Sequence, residues 1–160
     1  MPNLYMLIGV PAAGKSTWTA NLVENENPSA NIHIASTDAL IDIAARLKGK
    51  TYDEVFKDTV KDAEKAMYQM VIEAVKNNMD IVWDQTNLNR KTRAKKLIMI
   101  PDHYTKIAVY FPAPVDLNER LASRSGKTIP YHIMNSMIDN LEYPEYDEGF
   151  HHIIDTTEEE

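Results

Sequence analysis

A doubly wound α/β fold, with a parallel sheet covered by helices on both faces, is predicted by three features of this 160-residue sequence. Short apolar runs alternate with stretches of helical period. Glycine- and proline-marked turns separate most of them. The first apolar run leads directly into a glycine-rich turn and then a helix. Strands that alternate with helices pack as parallel neighbours joined by crossover helices.

In chain order, residues 4–8 (LYMLI) are an apolar run ending in glycine, the mark of a buried strand. Residues 15–23 read as a helix, closed by the polar breaker at 24–28, which ends in Pro28. Residues 32–35 form a second short strand. Ser36 or Thr37 is placed to cap a helix over 38–48, and Gly49 stops it. Between 52 and 77, Val55, Phe56, Ala63, Ala66, Met67, Met70, Val71 and Ala74 recur at three- and four-residue steps. That spacing predicts a long amphipathic helix. Residues 80–84 give a third strand, 90–99 a basic helix halted by Pro101, and 104–111 a fourth strand ended by Pro112 and Pro114. Helices over 115–123 and 131–141 flank the polar turn Ser125-Gly126-Lys127, and 151–155 reads as an edge strand before an acidic tail at 156–160. With no repeat, low-complexity stretch or long linker, residues 1–160 are expected to form a single domain.

Composition narrows the function classes. There is no cysteine, which excludes disulfides and thiolate metal sites and fits a cytoplasmic location. No apolar run has the length of a membrane span, and no basic segment precedes the first apolar stretch, so neither membrane nor secretion is expected. The net charge of −7 is unevenly distributed. Residues 139–160 hold nine acids and no Lys or Arg, whereas residues 90–127 hold nine bases against three acids. That basic segment either faces an anionic substrate or forms solvated helix faces.

The most specific signal is Gly9-Val10-Pro11-Ala12-Ala13-Gly14-Lys15-Ser16, a complete Walker A sequence between a strand and a helix. Phosphate binding needs backbone N–H groups converging on an anion, so the loop must tolerate unusual φ/ψ and carry small side chains. The following helix points its positive end at the phosphates. ATP is therefore the expected donor, held by Gly9, Pro11, Ala12, Ala13, Gly14, Lys15, Ser16 and Thr17, with Lys15 at the β- and γ-phosphates and Ser16 on Mg²⁺. Pro11 stands where a dinucleotide fingerprint needs its second glycine, which excludes that reading.

Asp38 follows the second strand, at the sheet edge that carries the phosphate loop. There it either accepts the proton of an attacking hydroxyl or simply favours its helix start. Asp84 ends the third strand in the manner of a Walker B acid, which holds Mg²⁺ directly or through water. Arg120 and Arg124 lie four apart beside a glycine turn, as lid arginines on donor phosphates or as a basic helix end. Arg90, Lys91, Arg93, Lys95 and Lys96 make a basic helix, mostly a solvated face. Trp18, Trp83 and Tyr131 suit base stacking or core packing. His33, His103, His132, His151 and His152 lack metal-ligand spacing.

With these residues in place, the chain resembles the kinase domain of phage-type polynucleotide 5′-kinases, and more loosely that of eukaryotic DNA-end repair enzymes. The matching stretches are residues 9–18 (GVPAAGKSTW), Asp38, residues 84–89 (DQTNLN) and residues 120–130 (RLASRSGKTIP). Residues 144–150 (PEYDEGF) resemble the end of the eukaryotic domains. The resemblance implies a P-loop kinase architecture with a short lid over about 120–130, and transfer from ATP to a 5′-hydroxyl of DNA or RNA. It makes Asp38 the general base, Arg124 the lid arginine and Asp84 an acid near the acceptor, with Thr86, Asn87 and Arg93 as further acceptor contacts. Where phage-type enzymes have an arginine three residues after the base, this chain has Ile41. Many relatives add a phosphatase domain with an Asp-x-Asp-Gly-Thr motif; the motif is absent here, so 3′-phosphatase activity is expected from another chain. Two rival readings stand: a kinase for another hydroxyl, in a small metabolite, an antibiotic or a modified base, and a non-catalytic ATP-binding module. DNA or RNA preference and homo-oligomer formation stay open.

Overall fold

The computed structural model describes residues 1–25 and 31–157. Five strands form one parallel sheet in the order β2-β3-β1-β4-β5. They are β1 Asn3–Ile8, β2 Ile32–Ala35, β3 Asp80–Trp83, β4 Thr105–Tyr110 and β5 His152–Asp155. The helices are α1 Lys15–Asn25, α2 Thr37–Lys48, α3 Tyr52–Lys76, α4 Arg90–Leu97, α5 Leu117–Ala122 and α6 Tyr131–Asn140. Each predicted element is present, including β5 at an edge. The breaker expected at 24–28 lies partly outside the described residues, as does the end of the acidic tail.

β1 reads as an unbroken apolar run because it is covered on both faces. Leu4, Met6, Leu7 and Ile8 are all fully buried. On one face Leu4, Met6 and Ile8 pack with Ile81 and Trp83 beneath Met67, Val71 and Ala74 of α3. On the other, Leu7, Val82 and Val109 meet Trp18 and Leu22 of α1. β1 pairs with β3 on one side and β4 on the other, so the strand order reverses around it. Ligands of open parallel sheets bind at the carboxyl ends of strands beside such a reversal. Here that position receives the loops after β1, β2 and β3.

Helix ends follow their capping chemistry. Ser36 Oγ accepts from the Ala39 amide at 3.1 Å, and Gly49 closes α2 at φ 65°. Thr51 and Glu54 form a reciprocal capping box at the start of α3. Asn89 Oδ1 accepts from the Thr92 amide to start α4. α4 ends two residues before the expected Met99, because Met99 and Ile100 donate to Lys96 and Leu97 in tighter three-residue turns. The stripe along α3 is narrower than predicted: Phe56 and Met70 remain 39% and 44% exposed.

One expectation for the basic segment is corrected. Arg93 is not an acceptor contact: its side chain is fully buried, with Nε 2.8 Å and Nη2 3.1 Å from the Glu148 carboxylate. Nη1 donates to the carbonyls of Asn87, Leu88 and Glu142. Arg90 pairs with Asp147 at 2.7 Å. The acidic stretch before β5 thus folds back on α4, pairing Asp147 and Glu148 with two of its cations.

Removing one partner of a buried ion pair leaves the other charge desolvated and unpaired. Arg93→Ala should therefore lower unfolding free energy by roughly 3–5 kcal/mol in urea titrations. Arg90→Ala, at an exposed pair, should change it far less.

Candidate active site

The phosphate loop is squeezed between two neighbours. A Cβ on Gly9 would lie 2.9 Å from Phe111 Cβ and 3.2 Å from its carbonyl oxygen, so only glycine fits. The Gly9 amide donates to Thr86 O at 3.0 Å, tying this loop to the one after β3. Ala12 and Gly14 hold φ of 65° and 104°, the left-handed turns that gather amides into an anion cradle. α1 then begins at Lys15, its first turn closed by Trp18 N to Gly14 O at 3.1 Å.

Lys15 Nζ donates to Gly9 O at 2.8 Å and lies 3.5 Å from Gln85 O. Burial pulls its pKa down to about 8, against the opposing pull of Asp84 and Asp38. Ala12, Gly14, Lys15, Ser16, Thr17 and Arg120 line a cavity of about 250 Å³ above the loop. Pro11 and Ala13 flank it on the same loop. Arg120 reaches Ala12 O at 3.2 Å while its Nε pairs with Asp116 at 2.9 Å, which places it beside the phosphate loop.

A larger cleft of about 650 Å³ adjoins the loop at Pro11, and Asp38, Thr86 and Arg124 all line it. Ser36, not Asp38, caps α2, so the Asp38 carboxylate is free of that duty. It accepts a 2.6 Å hydrogen bond from Tyr52 Oη. Burial, reinforced by that bond, pushes the Tyr52 phenol well above its ordinary pKa, so it stays a donor. Arg124 Nη1 is buried and has no hydrogen-bond partner among the described residues. A buried guanidinium nitrogen without a partner fits an anion supplied by a ligand. The turn after Arg124 rests on α3 and α2: Thr128 N donates to Asp53 Oδ2, Asp53 N to Gly126 O, and Lys127 pairs with Asp42 of α2 at 2.8 Å.

Asp84 and Ser16 share the wall of a third cleft of about 500 Å³. Burial raises the Asp84 pKa, while Lys15 lowers it. One carboxylate and one hydroxyl fit Mg²⁺, which completes its shell with phosphate and water oxygens. Among the described residues no cluster of three metal-ligating side chains exists.

The remaining acceptor expectations divide. Thr86 stands in the cleft. Asn87 does not: it is buried at φ 47°, its Nδ2 2.7 Å from Leu7 O, and its Oδ1 accepts from Lys96. Arg93, paired with Glu148, is likewise absent from the cleft. Ile41 is buried with Ala45, Val55 and Ala63, in the seam between α2 and α3. Sequence reasoning missed Tyr52, which reads only as a helix start, and Gln85, which sits unremarked beside Asp84. It also read Lys96 as surface, although the side chain is buried, with its ammonium 5.4 Å from the Trp83 ring centroid.

Burial pulls the Lys96 pKa from 10.5 to about 7 in the folded chain. Between these values the unfolded chain binds the extra proton, so this group makes stability rise with pH. The unfolding free energy of nucleotide-free protein should accordingly climb from pH 7 to 9. Lys96→Met should remove up to about 1.4 kcal/mol per pH unit of that slope in urea titrations.

The family model described as an AAA domain, AAA_33, matches residues 4–144. Among curated proteins, L-seryl-tRNA(Sec) kinase of Methanococcus maripaludis is 25% identical over 144 residues, covering 88% of this chain and 53% of that protein. The chain therefore spans about half the length of this relative. A chain in a structure of the Pnkp1/Rnl/Hen1 RNA repair complex superposes with TM-score 0.67 at 21% identity, over 89% of this chain and 44% of that one. A gluconokinase from Sinorhizobium meliloti 1021 gives TM-score 0.56 at 20% identity, over 96% and 81%. No described helix is long and apolar enough to cross a membrane. On the match along most of its length, the chain belongs to the AAA_33 family of AAA domains, built on the α/β fold of P-loop kinases.

Proposed function

We propose that this chain is an ATP-dependent kinase that transfers the γ-phosphoryl group to a 5′-hydroxyl end of DNA or RNA. The observation that carries the reading is the meeting in one cleft beside the phosphate loop of Asp38, Thr86 and Arg124, whose buried Nη1 has no partner among the described residues. The Methanococcus relative and the repair complex, whose names both concern RNA, support an RNA-linked acceptor without specifying the 5′ end.

In this reading Lys15 and the loop amides hold the donor phosphates. Arg124 meets the charge that develops on the transferred group. Asp38 accepts the proton of the acceptor hydroxyl as its oxygen bonds to the γ-phosphorus and the bond to the β-phosphate oxygen breaks. ADP leaves with that electron pair. Tyr52 holds the carboxylate in place from one side, leaving its second oxygen for the acceptor. Ser16 and Asp84 would hold Mg²⁺, which supplies neutralisation of phosphate charge. Catalysis is then chiefly positioning and electrostatics.

A small-molecule acceptor is the second reading, and one observation favours it. Arg90 and Arg93 of α4 pair with Asp147 and Glu148, and the cleft is walled by apolar Phe56, Ile133 and Met137. Its remaining cations are Lys57 and Lys127 beside Arg124, one of which would take the part left by Ile41.

Labelled-ATP transfer to a 5′-hydroxyl oligonucleotide, its 5′-phosphorylated twin and the free nucleoside separates the readings. The first should be labelled far better than either of the others. Equal labelling of the two oligonucleotides, or preference for the nucleoside, would overturn the 5′-end reading. Asp38→Asn should lower kcat by roughly 10²–10⁴ with ATP binding little changed. Lys15→Ala should abolish turnover while circular dichroism stays native.

A further inference from the structure

The acids assigned to catalysis stand on different segments, Asp38 in α2 and Asp84 after β3, and something must fix one against the other. The backbone supplies one link, Asp84 N to Ala35 O at 2.8 Å. The second is a side chain. Gln85 Nε2 donates to Thr37 Oγ1 at 2.6 Å, immediately before Asp38. Gln85 Oε1 accepts from Trp83 Nε1 at 3.1 Å and from Lys96 Nζ at 2.7 Å. Two N–H donors on one oxygen settle which end of the amide faces which way. The backbone oxygen of the same residue lies 3.5 Å from Lys15 Nζ.

Behind this amide sits Lys96, a buried amine held by neutral partners: Gln85, Asn87 and the face of Trp83. No carboxylate lies within ion-pairing distance of it among the described residues. A desolvated donor bonded to two amide oxygens holds those amides in a single arrangement, because rotating either would leave a buried N–H without an acceptor. Lowered Lys96 basicity, caused first by burial, agrees with that environment. The donor residue Lys15, the acid Asp84 and the base Asp38 therefore share one hydrogen-bonded support.

We infer that Gln85, locked by Lys96 and Trp83, is a positioning residue that holds Asp38 in register with Lys15 and Asp84 for phosphoryl transfer. This rests on the kinase reading of the site and adds to it a named support outside the substrate contacts. Gln85 acts through Thr37 rather than by touching substrate.

The test pairs an isosteric with a conservative change at Thr37. Thr37→Val removes the oxygen that Gln85 bonds and keeps the shape; Thr37→Ser keeps the oxygen. Both are assayed well below their melting temperatures on the best acceptor of the wild-type protein. Thr37→Val and Gln85→Leu should lower kcat at least ~10-fold, the scale of a misplaced reacting group, with KM for ATP within about threefold. Thr37→Ser should recover to within about threefold of wild type. A spectroscopic arm needs no acceptor. The sequence has two tryptophans, and the Trp83 indole N–H resonance reports on the Gln85 bond directly. It should shift when a non-hydrolysable ATP analogue with Mg²⁺ is added, and Gln85→Leu should abolish the response while the analogue still binds. Full kcat in Thr37→Val, equal losses in the Val and Ser variants, or an unchanged Trp83 response in Gln85→Leu would overturn the inference. A wild-type protein that neither binds the analogue nor transfers phosphate would instead overturn the kinase reading, and this inference with it.

Discussion

The site depends on the closeness of the first loop to its neighbours. Gly9 is pressed against Phe111 at the end of β4 and bonded to Thr86 in the loop after β3. Both contacts arise because β1 is the central strand of a parallel sheet, with β3 and β4 on either side. Backbone packed this closely cannot drift, so the left-handed turns at Ala12 and Gly14 persist and the amides stay aimed. The positions of Lys15 and Ser16 follow from it, and through Thr86 so does the neighbouring wall of the larger cleft.

Electrostatics give the same region its character. Lys15 and Lys96 are buried amines whose protonated forms are disfavoured by desolvation, and Lys15 lowers the Lys96 pKa further. Arg124 adds a buried nitrogen, Nη1, without a partner among the described residues. Positive charge is thus concentrated where the fold gives it few anions to meet, and the two acids near Lys15 offset only part of it. A site built this way gains from an incoming polyanion without rearranging its dipoles, which is the condition for electrostatic preorganisation.

Most of the fold was legible because parallel sheets write plainly in sequence. Buried strands become apolar runs, and Gly49, Ser36 and Asn89 mark helix ends by chemistry that acts over three or four residues. The phosphate loop was legible for the same local reason. What failed to show was long-range pairing. Nothing near Arg93 reveals that Glu148, fifty-five positions away, will cover it, so a buried structural cation looked like a surface one. Lys96 was misread likewise, since its partners are amides and an indole rather than acids. Tyr52 meets Asp38 only because α2 and α3 pack as neighbours, a relation that neither helix's own period encodes.

The clamp between Arg93 and Glu148 also bears on how the chain is made. Synthesis delivers α4 well before the segment that neutralises it, and β5 pairs with β4 later still. Until Glu148 emerges from the ribosome, the nascent domain holds a guanidinium that can be buried only at a heavy cost in solvation. Its early strands can associate, but the cooperative step must wait for that partner. A ribosome stalled before Glu148 has cleared the exit tunnel would therefore carry an open, protease-sensitive domain rather than a nearly finished one.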